Sequence, residues 1–75
     1  MSLNKFNKTV GYKLKLARKN AGFTQEKAAE LLNVDNNKIS RIEQGKQAAE
    51  FEDIFNLARL YNKSIYYFLE DFKKK

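Results

Sequence analysis

The 75-residue chain contains no cysteine, histidine, proline or tryptophan, and glycine occurs only at Gly11, Gly22 and Gly45. Each absence removes a class of protein. Without cysteine there is no disulfide to staple the fold and no thiolate for a zinc site. Without histidine, the commonest metal ligand and the usual acid–base residue near neutral pH are missing. The expectation is a protein with no metal, no cofactor and no small-molecule ligand. Its only serines are Ser2, Ser40 and Ser64; no histidine can activate them, and no glycine-rich phosphate loop is present. An enzyme is the least supported reading. No apolar run approaches the roughly 20 residues that cross a bilayer, and no signal-peptide core is visible, which points to a cytoplasmic chain with no membrane partner.

What remains is small and basic. A chain of this length makes one domain, whose core rarely supplies more than about 3–5 kcal/mol of net stability. The expected division is an N-terminal arm over 1–8, a helical core over 9–72 and a basic tail over 73–75. The net charge is +6 and uneven: residues 1–46 hold ten Lys/Arg against four acids, residues 47–72 two against five. A basic front half suits a polyanion partner, although charge alone fits a solubilising surface equally well.

With no proline and no sustained period-2 alternation, the chain reads as all-α. A first helix spans about Thr9 to Asn20, with Val10, Leu14, Ala17 and Leu16 as inward candidates, and Gly22 ends it in the left-handed conformation. Thr24 caps a second helix bearing Ala28, Leu31 and Leu32. Asn33 turns the chain, because asparagine tolerates the left-handed region better than most residues. Val34 plugs the turn and Asp35 caps a third helix with Ile39 and Ile42 on its inner face; Gly45 stops it. A fourth helix from about Glu52 to Tyr61 buries Ile54, Leu57, Ala58 and Tyr61. Asn62 repeats the turn chemistry of Asn33, and Ser64 caps a last helix from Ile65 to about Phe72.

Two short helices joined by a tight turn, Thr24 to Lys46, form the layout that presents a helix to the major groove of DNA. The outer face of the third helix must carry that claim. Asn36, Asn37, Ser40 and Arg41 lie opposite Ile39 and Ile42. Amides bond adenine bidentately, arginine forks onto guanine, and serine reaches several bases. No acid lies between Asn36 and Ile42, which argues mildly against an ordinary solvated face. Lys38 suits a phosphate or the groove edge. Gln25, in the first turn of the second helix, and Lys46, just past the third, suit phosphates. For Lys13, Lys15 and Lys19, solvated stripe and phosphate contact remain level.

The segment from Val10 to about Leu69 resembles the lambdoid repressor/Cro-like helix-turn-helix family, also called the XRE family. The resemblance rests on Arg18, Gly22, Thr24-Gln25-Glu26, Ala29, Leu32, Val34, Ile39-Ser40-Arg41-Ile42-Glu43, Gly45-Lys46, Leu57-Ala58 and Ser64. It implies a five-helix, lambda-repressor-like domain that binds double-stranded DNA, usually as a two-fold dimer. It assigns base contacts to Asn36, Asn37 and Arg41, less firmly to Ser40, and phosphate contacts to Gln25 and Lys46. It also implies a structural ion pair between Arg18 and Glu43. The chain departs from the family at Lys27, which replaces the usual Glu, and at Ala28 and Leu31, which exchange large and polar positions and put Leu31 at the surface. It departs again at Ala49, where proline is common, at Lys63, and at Tyr66-Tyr67.

Seven of the ten aromatic residues fall between Phe51 and Phe72. Phe51, Phe55, Tyr61 and Phe68 read as core. Tyr66, Tyr67 and Phe72 are too many for the inside of one short helix, which points to an isologous homodimer interface through helix five and the loop before helix four. The leading function is a sequence-specific transcription regulator, a repressor acting on a palindromic operator. The alternative is an interaction module, such as an antitoxin, that holds a protein through its aromatic C-terminal half.

Overall fold

A computed structural model describes residues 3–69. Among these residues every regular element is helical: α1 Leu3–Ala21, α2 Gln25–Leu32, α3 Asn36–Glu43, α4 Phe51–Leu60 and α5 Ile65–Leu69. The fold is an all-α, five-helix bundle with the helix-turn-helix at α2 and α3.

The first helix starts earlier than the sequence suggests. Residues 3–8, expected in an N-terminal arm, are the opening turns of α1. The stretch has neither proline nor glycine, and a helix already anchored downstream extends by one hydrogen bond for each added residue. Val10, Leu14 and Ala17 face the core as expected. Leu16 does not; it is exposed, because it sits about 160° around the helix from Leu14 and Ala17 lies between them on the buried side.

The first four helices end in one way. At the close of α1, α2, α3 and α4, the residues Gly22, Asn33, Gly45 and Asn62 take positive φ. The next N–H bonds back to a carbonyl five positions earlier: Phe23 to Arg18, Val34 to Ala29, Lys46 to Arg41 and Lys63 to Ala58, at 2.8–3.1 Å. These Schellman closures satisfy carbonyls that a helix end would otherwise orphan, and they stop each helix within one residue. The N-termini are capped as sharply. Thr24 Oγ1 accepts from Lys27 N–H at 3.0 Å, and Asp35 Oδ1 from Asn37 N–H at 3.0 Å. Asp53 Oδ2 reaches back to Glu50 N–H at 3.0 Å at the start of α4.

The core joins Val10, Leu14 and Ala17 of α1, Ala28 and Ala29 of α2, Ile39 and Ile42 of α3, Ile54, Leu57 and Ala58 of α4, Tyr61, and Phe68 of α5. Phe51 and Phe55 are not core. They are 68% and 44% exposed, their rings stacked 6.3 Å apart on the outer side of α4, because Ile54, Leu57 and Ala58 already fill the inward stripe. Leu31 is half exposed, as the swap with Ala28 implied.

Gly11 has a role that composition did not announce. A Cβ there would run into the carbonyl oxygen of Ile42. The α1 backbone therefore lies directly on the end of α3, and the missing side chain is what permits it.

Candidate nucleic-acid interface

α3 is held from three sides. From α1, Arg18 Nε donates to Glu43 Oε2 at 2.7 Å and Arg18 Nη2 to Glu43 Oε1 at 3.1 Å. The two side chains are 8% and 2% exposed. Arg18 Nη1 also donates to the Phe23 carbonyl at 2.7 Å, tying in the α1–α2 turn. From α2, Gln25 Nε2 donates to Glu43 Oε1 at 2.9 Å. From α4, Asp53 Oδ1 draws in the Lys38 ammonium at 3.0 Å. The hydrogen bond to Glu43 raises the Arg18 guanidinium above its already high ordinary value, so the guanidinium stays charged at every ordinary pH.

The clamp buries one side of α3 and leaves the other outward. Asn36, Asn37 and Arg41 are exposed. Arg41 is aimed: its Nε donates to Gln47 Oε1 at 2.8 Å, which leaves the terminal guanidinium nitrogens to fork onto an acceptor pair. Ser40 is half-buried, and its Oγ accepts from Gln44 Nε2 at 2.8 Å, so it sits off the centre of this face. Lys46 is exposed immediately after the Gly45 closure.

Two side chains assigned to phosphates from sequence are engaged inside the protein. Lys38 is half-buried and bridges α3 to α4; a carboxylate at contact distance holds its ammonium there. Gln25 spends one amide hydrogen on Glu43, but keeps the other, together with the backbone N–H of a helix N-terminus. Sequence reasoning missed Gln47 and Asp53. The signal for Asp53 was its place three residues after the cap at Glu50; nothing local marked Gln47.

The C-terminal aromatics divide. Tyr66 is 71% exposed. Tyr67, expected at an interface, packs on the core instead. Its ring meets Phe68 edge-on at 4.9 Å, and the ammonium groups of Lys13 and Lys63 stand over it, 5.2 and 5.0 Å from the centroid. Lys13 also donates to the Tyr67 carbonyl at 3.0 Å. That settles Lys13 into the scaffold. Phe72 lies outside the described residues.

A short helix seated in a charged clamp, capped at both ends and showing an acid-free polar face, defines a helix-turn-helix domain. Comparison with known proteins agrees. The helix-turn-helix family model matches residues 14–68. The chain is 41% identical over 61 residues to the HTH-type transcriptional regulator ImmR of Bacillus subtilis (strain 168), covering 81% of this chain and 48% of that protein. The chain belongs to the helix-turn-helix family, of the XRE type; it spans about half the length of the curated relative it matches. The family is one of regulators rather than enzymes.

Proposed function

We propose that the domain binds double-stranded DNA sequence-specifically, with α3 in the major groove, as a transcription regulator of the repressor kind. The observation that carries this reading is the exposed face of Asn36, Asn37 and Arg41 on a helix whose opposite side is locked by Arg18, Glu43 and Gln25. A recognition helix must be rigid before it meets bases, since ordering it on contact would cost affinity. Asn36 and Asn37 are the amide readers and Arg41 the guanine reader. The N-terminus of α2 at Gln25 and the ammonium of Lys46 hold phosphates and set the register. Lys38, engaged with Asp53, is left out of the phosphate set, and Ser40 is a secondary base contact.

The test is selection of bound duplexes from a random pool, followed by affinity measurements on the winner. Arg41→Ala should lose about 1–3 kcal/mol on the selected duplex and relax preference at one base. Unchanged affinity and preference in that variant would remove the assignment.

A two-fold dimer on a palindromic site belongs to the same reading. Its supporting features are the exposed Phe51–Phe55 stack on α4 and the exposed Tyr66 on α5, in place of the Tyr67 surface.

A further inference from the structure

The opening turns of α1 lie against the end of the recognition helix. A Cβ built on Gly45 would stand 2.5 Å from Lys8 Cγ and 2.9 Å from Lys8 Cα. The backbones of Lys8 and Gly45 are therefore in contact, and Lys46 follows Gly45 directly. Two exposed lysines, one from the opening turns of α1 and one just past α3, rise from neighbouring points beside α3. No acid occurs anywhere in α1, Leu3–Ala21, so nothing on that helix neutralises the pair. Stems that start this close can bring both ammonium groups to one anionic surface.

We propose that Lys8 is a DNA phosphate contact acting beside Lys46, so that the helical N-terminal extension forms part of the DNA-binding edge. The inference rests on the reading of α3 as the recognition helix, because the end of α3 then lies at the groove margin where phosphates run. The contact is sequence-independent: an ammonium on a flexible stem reads charge, not base identity. Its signature is the release of one condensed counterion.

The experiment measures affinity against salt for the intact chain on two probes, a duplex selected from a random pool and a scrambled duplex of the same length. Lys8→Gln keeps most of the stem that packs on Gly45 and removes the charge. It should flatten the slope of log K against log salt by about 0.9 for each bound protomer on both probes, with an unchanged ratio between them and an unchanged urea midpoint. Lys8→Arg should restore the slope. Lys63→Gln is the control of equal charge change, since Lys63 lies in the α4–α5 turn over the Tyr67 ring, outside α2 and α3. A wild-type slope in Lys8→Gln, or the same flattening in Lys63→Gln, would overturn the proposal. Failure of the wider reading looks different: wild-type protein would show no preference between the two duplexes, whatever Lys8 does to the slope.

Discussion

Arg18 and Glu43 show what a single buried pair does for a domain this small. Among the described residues, their hydrogen bonds run to each other, to Gln25 and to the Phe23 carbonyl. Removing one partner strands the other, and breaking a buried pair costs about 3–5 kcal/mol, close to the whole net stability of such a domain. Arg18→Met and Glu43→Leu should each leave a largely unfolded chain at 25 °C by far-ultraviolet circular dichroism. The double variant should recover helix, because two apolar side chains leave no unpaired charge; a double variant as unfolded as the singles would refute the argument. Tyr61 is the opposite case. Its hydroxyl is buried with no hydrogen-bond partner among the described residues, and burial, reinforced by Glu43, pushes the phenol above its ordinary value of 10.0. Tyr61→Phe should therefore raise stability by about 1 kcal/mol at pH 8. The raised value has a pH consequence. Above about pH 10 the unfolded chain loses this proton while the folded one retains it, so folding stability present below that pH is lost as pH rises. Urea midpoints at pH 8 and pH 10.5 should fall less for Tyr61→Phe than for the wild type.

At the scale of elements, glycines that look alike in sequence differ in what surrounds them. Gly22 has φ +85 and open space, whereas Gly45 has φ +78 and Lys8 against it. Asparagine already serves the same closure at Asn33 and Asn62. Gly22→Asn should consequently cost less than about 1 kcal/mol, and Gly45→Asn clearly more, because it adds a steric clash to the same backbone state. Gly11 inverts a general rule. Glycine to alanine inside a helix ordinarily stabilises by about 0.5–1 kcal/mol. Here the added methyl meets the Ile42 carbonyl, so Gly11→Ala should destabilise and push α1 off α3. Thermal denaturation of the three variants side by side checks both statements. The caps and closures were legible in the sequence because each depends on residues within five positions: Thr24, Asp35, Asn33, Asn62 and Gly22. Gly11 was not, since its reason for being glycine lies 31 residues away on another helix.

For the molecule as a whole, the outer face of α4 is the surface on which the proposed dimer can be tested. Phe51 and Phe55 stack in solvent, with the Arg59 guanidinium 5.8 Å from the Phe55 centroid. The helix is acidic in its first turn, at Glu52 and Asp53, and basic in its last, at Arg59. Two copies meeting antiparallel about Phe55 would set each Arg59 near the other's acidic end, which is the self-complementarity that an isologous contact needs. Phe51→Ser with Phe55→Ser should shift sedimentation at micromolar concentration toward monomer. The double variant should also weaken binding to a two-half-site duplex far more than to a single half-site. Equal losses on both would separate this face from dimerisation. No described helix is long and apolar enough to cross a membrane.

The amino-acid order alone determined the helices, their caps and the turn between α2 and α3, because propensity, capping and left-handed closures act over a few residues. It also marked Asn36, Asn37 and Arg41 as an outer face, since helical periodicity places them opposite Ile39 and Ile42. Tertiary structure decided which polar groups are spent inside: Lys38 on Asp53, Gln25 on Glu43, Lys13 and Lys63 on Tyr67. It decided as well that Phe51 and Phe55 stay outside and that Lys8 stands beside Gly45. Those outcomes depend on which helix faces meet, and a charge or an aromatic ring carries no local record of its distant neighbour.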